Sequence, residues 1–160
     1  MNELTKVFGQ IGATPVFASL INYGAITTHA PLTITGAYTQ NGGSLTATAN
    51  LSSGSLSGTG GTIVLDGSNV HYTINQTENG TYSGAISGSG VVDKTGTANL
   101  LLDGAAQSFA PSVLNVQQGW VGAMSANVFA STLAINTAPS GHLMLAADQT
   151  IASLQNSGVT

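Results

Sequence analysis

The sequence predicts an all-β chain wound as a right-handed parallel β-helix (a β-solenoid), with a short N-terminal helix or cap ahead of it. Three observations lead there. Short runs that alternate apolar and polar residues recur between corners rich in Gly, Ser and Asn. Charged residues make up 5% of the chain, against roughly 25% in an ordinary globular domain. Similar strand segments also return at intervals typical of stacked arrays. Low charge alone would fit disorder or a membrane span. Disorder goes with low hydrophobicity, whereas 42% of this chain is apolar. A membrane helix needs about 20 consecutive apolar residues, and Gly, Ser, Thr or Asn interrupts every apolar stretch here. What remains is a β-structure whose outer face is covered by Thr, Ser and Asn.

The 160 residues suit one domain. Residues 1–30 differ in texture and read as an N-terminal cap or joining segment. Leu4, Val7, Phe8 and Ile11 keep the spacing of one helix face, while Gly9, Gly12 and Pro15 limit its length. Val16 to Ile21 is a compact apolar run that reads as a buried strand. Residues 31–160 read as the coils of the solenoid. Leu32-Thr33-Ile34-Thr35 alternates with period 2, Asn41-Gly42-Gly43 is a turn, and Ser44 to Leu51 alternates again. Ser52 to Gly61 has the composition of a linker, but lies between matching strands. It therefore reads as a tight coil with Leu56 pointing inward.

Tyr82 to Gly104 is the clearest unit: three short strands separated by a Gly/Ser corner and a polar corner. The segments ending at Leu65, Leu102 and Leu145 echo one another at spacings of 37 (102 − 65) and 43 (145 − 102), near two coils of roughly 20 residues. Ile86 to Val91 is echoed by Leu154 to Val159. Pro111 cannot occupy a central hydrogen-bonded strand position. Val113 to Val116, Gly119 to Val121, Asn127 to Ile135 and Thr150 to Leu154 resume the strand pattern.

Composition excludes several function classes. The chain has two lysines, Lys6 and Lys94, no arginine and a formal charge of -4. A nucleic-acid reader needs clustered cations, and so does a protein attracted to an anionic bilayer. Without cysteine there is neither a disulfide framework nor a thiolate metal site. Phosphate-loop, His-Glu-x-x-His and nucleophile-elbow motifs are absent. His29, His71 and His142 are far apart in sequence. Asp66 and Asp103 each precede glycine at a strand end, as an Asp-Gly turn requires. Stacked on successive coils, they would make a calcium-binding ladder or the one carboxylate pair for glycosidase chemistry. Tyr38, Tyr72, Tyr82 and Trp120 would form a sugar- or protein-binding stripe if they faced outward, or pack at corners if not. No residue is assigned a catalytic, cofactor-binding or metal-binding role, and no cofactor is expected.

Tyr82-Ser83-Gly84, Ile86 to Gly90, Lys94-Thr95-Gly96, Leu100 to Gly104 and Val113 to Val116 together resemble the autotransporter-associated β-strand repeat of Gram-negative secreted passengers. Two departures stand out. Thr97-Ala98 replaces an expected glycine, and Gln107 to Pro111 replaces a Thr/Tyr/Gly-rich bridge. The resemblance implies a fragment of a β-helical passenger at the bacterial surface, attached to the outer membrane or released. Such passengers serve adhesion, aggregation or effector roles. With no catalytic motif in the chain, the expected role is non-catalytic and adhesive or aggregating, with a host or neighbouring-cell protein or glycan as partner, or self-association. The alternatives are a self-assembling extracellular fibre subunit and, more remotely, a carbohydrate-active β-helix enzyme.

Overall fold

The computed structural model describes residues 14–157, and every regular element in that span is a strand. The chain winds as a parallel β-solenoid of about seven turns. The first coil holds β1 (Val16–Phe17), β2 (Leu20–Asn22) and β3 (Ala25–Thr28). The second holds β4 (Leu32–Ile34), β5 (Tyr38–Gln40) and β6 (Ser44–Ala47). The third holds β7 (Leu51–Ser53), β8 (Leu56–Ser57) and β9 (Thr62–Leu65). The fourth holds β10 (His71–Asn75), β11 (Gly80–Tyr82) and β12 (Ala85–Gly88). The fifth holds β13 (Val91–Thr95), β14 (Leu100–Leu102) and β15 (Phe109–Ala110). In the sixth and seventh coils two of these strands merge into one, giving β16 (Val113–Ala123) and β17 (Ala134–Leu145). Finally β18 (Ser153–Asn156) pairs with the leading half of β17.

Each strand pairs in parallel with its counterpart one coil away, so the coils form three sheet faces. Face one starts with β1, β4 and β7, face two with β2, β5 and β8, and face three with β3, β6 and β9. The register gives coil lengths from 17 residues (Val16 to Thr33) to 23 (Thr62 to Ala85). This variation explains why the sequence echoes lack a fixed period. Leu102 and Leu145 do share one column, two coils apart through Ala123. Leu65 belongs to face three and Leu154 to face one, so the other echoes join unrelated columns.

The described part of the segment set apart at 1–30 is the first coil itself, paired in register with the second. The apolar run from Val16 to Ile21 is split by a corner at Ala18-Ser19, and Val16 and Ile21 face solvent. The helix expected around Leu4 to Ile11 lies outside the described residues. Leu56 is fully buried, as its place in the tight coil requires, and Pro111 sits between β15 and β16.

Alternation sends every second side chain inward, where like stacks on like. One column on face one runs Leu32, Leu51, Tyr72, Val92, Leu114, Ile135. On face three, Ile26, Leu45, Ile63, Ile86 and Phe109 stack, and Phe129 meets Phe109 edge to face. Fully burying one such aliphatic side chain contributes about 1.5–3 kcal/mol.

Polar groups also enter the interior, and among the described residues all but the buried Thr28 hydroxyl find a partner. Asn22 stacks on Gln40 and donates its Nδ2 to Gln40 Oε1 (3.1 Å) and to the Ser44 carbonyl (3.1 Å). The Tyr38 hydroxyl donates to the same Oε1, and Gln40 Nε2 donates to the Gly42 carbonyl. Gln76 bonds both backbone groups of Leu56 in the preceding coil. Burial pushes the phenols of Tyr38, Tyr72 and Tyr82 well above their usual range.

Lys94 is the extreme case. It stands in an inward column between Ile74 and Val116 and is completely buried. Its Nζ donates to the carbonyls of Gly96 (2.7 Å), Ala98 (2.7 Å) and Gln118 (2.8 Å). Three donors meet three acceptors, which satisfies an ammonium fully. Burial pulls its pKa down to about 8. Gly119 leaves room for this cage. Its φ is +66°, and a Cβ there would lie 2.8 Å from Lys94 Nζ and 2.7 Å from the Thr97 carbonyl.

Lys94→Met should destabilise the fold by about 3 kcal/mol, because three buried carbonyls lose their donor. Urea unfolding measures this. Between pH 8 and about 10.5 the unfolded chain holds the Lys94 proton more tightly than the folded one, so stability should rise across that window. Above about pH 10 the unfolded tyrosines ionise while the buried ones do not, so stability should then fall. Lys94→Met should remove the rise and keep the fall.

Candidate functional site

Most residues singled out in the sequence are kept apart by the fold. Tyr38, Tyr72 and Tyr82 are buried, so the aromatic stripe is not formed. The Tyr82 hydroxyl bonds the Gly61 and Ala85 carbonyls inside a corner. Asp66 follows a face-three strand and Asp103 a face-two strand, so they stand in different columns and make no ladder. The three histidines go to three places. His29 meets Thr48 (3.3 Å), His71 meets Asp93 (2.6 Å), and His142 stacks on Trp120. Among the described residues no three His, Cys, Asp or Glu side chains gather as a metal site.

The outer side of coils five to seven is where exposed chemistry collects. It is built by β16 and β17, which run through the corner between faces one and two without breaking. The register slips between Val116 and Gln118, and Gly119 takes its left-handed conformation. After this corner Trp120 pairs with His142, Val121 with Leu143 and Gly122 with Met144. Alternation turns Trp120, Gly122 and Met124 outward, and His142 and Met144 beside them. The Trp120 and His142 rings lie 4.6 Å apart at 27°. Trp120 is 43% exposed and Met124 38%. Gly122 carries no side chain, and Leu101 Cδ2 and Met144 Cε converge on the space a Cβ would take. The result is a surface patch in which Trp120, His142 and Met124 are exposed and Leu101 and Met144 half-buried, on a face whose second to fourth coils present Thr39, Ser57 and Thr81, after Ile21 in the first.

On the other side of the corner, a polar ladder climbs face one. Asp93, Asn115 and Asn136 are in register. Asn136 Nδ2 donates to Asn115 Oδ1 (2.9 Å), and Asn115 Nδ2 donates to Asp93 Oδ1 (2.7 Å). The second Asp93 oxygen holds His71. Beside the ladder, Asn115, Gln117, Asn136 and Pro139 help to line an open groove of about 360 Å³.

The electrostatics are one-sided. Lys94 is the only lysine among the described residues, and it is buried. Asp66, Glu78, Asp103 and Asp148 are all exposed. Asp103 adjoins the patch, accepting from Ser125 Oγ (2.5 Å), next to Met124 in the following coil.

Trp120 was legible in the sequence as a candidate, but its company was not. A signal existed: Gly119-Trp120-Val121-Gly122 and Gly141-His142-Leu143-Met144 are the same pattern one coil apart, with Gly, ring and aliphatic residue in register. Compared with protein-family models, with curated proteins and with solved structures, the chain matches none.

Trp120 is the sole tryptophan of the chain, so its fluorescence reports this patch alone. His142→Ala uncovers one side of the indole and should increase its quenching by acrylamide, with the far-ultraviolet spectrum unchanged.

Proposed function

We propose that the chain is a rigid, non-catalytic adhesive segment of a surface-displayed β-helical passenger of the autotransporter type, and that it makes contact through the outer side of coils five to seven. The observation that carries this reading is the exposed Trp120–His142 stack with Leu101, Met124 and Met144 around it. Contiguous exposed apolar side chains mark interaction surfaces, and in the second to fourth coils the same column of the face carries Thr39, Ser57 and Thr81, with Ile21 at its start in the first coil. The resemblance of Tyr82 to Val116 to passenger repeats supports the extracellular setting. The many Thr and Ser side chains on the outer positions suit a chain displayed as a spacer.

The reading predicts that beads coated with the protein adhere to cultured epithelial cells or to a bacterial lawn. Trp120→Ala should cut adhesion about tenfold without changing thermal stability. Adhesion equal in the variant, or no adhesion by either, would count against it.

A second reading, end-to-end self-assembly, has its own observation. Leu145 and Leu154 belong to inward columns yet are 51% and 55% exposed, whereas Leu20 and Ile26 in the first coil are buried. Sedimentation equilibrium over a wide concentration range separates the two. Growing polymers that Leu154→Asp abolishes would favour assembly, and a monomer throughout would favour the adhesive segment.

A further inference from the structure

The chemistry of the exposed patch specifies its partner more narrowly. From its residues and its rim we propose that this face docks a polypeptide whose apolar side chains are flanked by lysine or arginine. The proposal rests on the adhesive reading of the same face.

The centre of the patch has the composition of a protein-binding surface. Trp120 offers a large, stiff apolar area with a polar edge. Met124 and Met144 are unbranched and polarisable, and adapt to an apolar partner. Interface centres are enriched in aromatic residues and methionine. Because Gly122 lies beneath them, the ends of Leu101 and Met144 close over a shallow floor rather than a deep pocket. Such a floor suits side chains laid across it.

The rim decides the sign of the partner. Asp103 stands beside Met124, and Asp148 lies in the next coil on the same flank, its backbone carbonyl accepting from Asn127 N (2.8 Å). Both carboxylates are exposed, and no lysine or arginine is exposed among the described residues. Charge complementarity must therefore come from the other molecule. A second copy of this chain brings the same carboxylates and repels. An anionic bilayer or an anionic polysaccharide does likewise. A neutral glycan would set its hydroxyls against Leu101 and Met144, which offer them no hydrogen bond. β16 is paired on both sides, by β14 and β17. Docking on Trp120 therefore proceeds through side chains rather than by strand addition.

The test uses Trp120 fluorescence of the full chain, titrated with an amphipathic leucine–lysine peptide, its leucine–glutamate counterpart, and maltohexaose. The expected result is a saturable blue shift with the leucine–lysine peptide alone. Asp103→Asn combined with Asp148→Asn should weaken it at least about fivefold at low salt. Met144→Ser should weaken it about tenfold. Asp66→Asn, on the far face, should leave it unchanged and so exclude general attraction to an acidic protein. Equal response to both peptides, equal loss in Asp66→Asn, a shift with maltohexaose, or no saturable shift would each overturn the proposal. The bead assay is run on the same variants. Beads that adhere while the peptide does not bind overturn the docking proposal and leave the adhesive reading standing. Peptide binding without bead adhesion does the reverse.

Discussion

Everything in this molecule depends on the backbone hydrogen bond between a residue and its counterpart one coil away. That bond is parallel and in register on all three faces. It leaves each coil only its neighbours as partners, as in other stacked folds. Register then dictates the rest. Inward side chains must tolerate stacking on their own kind, which Leu, Ile and Val do. Corners must bring successive carbonyls very close, as at Gly58, where a Cβ would lie 1.9 Å from the Gln40 carbonyl. Outer positions are free of packing demands, so Thr and Ser fill them.

Where a polar side chain enters the interior, it works for the same bond. Gln76 takes both backbone groups of Leu56, which a narrower coil would have paired with another strand. Lys94 gathers three carbonyls at a corner that the coils turn differently from the others. One of those carbonyls belongs to Gln118, just before Gly119 and Trp120. The buried ammonium thus helps to hold the bend from which the exposed indole emerges. Removing a charge from water is costly, and only complete matching of its three donors makes it tolerable here.

Period-2 alternation and Gly/Ser corners were plain in the sequence because they are local, and the β-solenoid follows from them. Leu56 inward and Pro111 at a corner were legible for the same reason. Other features are decided between coils. β9 and β14 both run into a corner through Asp-Gly, so Leu65 and Leu102 look alike while lying on different faces. The corner at Ala18-Ser19 carries no glycine, so the run from Val16 to Ile21 looked continuous. Composition does not say on which side a tyrosine lies. Tyr38, Tyr72 and Tyr82 went inward because Gln40, Ser53 or a corner carbonyl met each hydroxyl. The patch around Trp120 was half visible. The indole stood out, but its leucine and methionines come from strands that only register brings together.

Pairing confined to neighbours makes the solenoid a ruler. Each coil advances the axis by about 4.8 Å, the spacing of paired strands. Trp120, in the sixth coil, therefore stands about 24 Å along the axis from the first. Inserting or deleting one coil among the first four would move the indole by a single such step while leaving its own surroundings intact. Reach and recognition are thus separable quantities in this chain: the number of coils sets the first, and three neighbouring strands set the second.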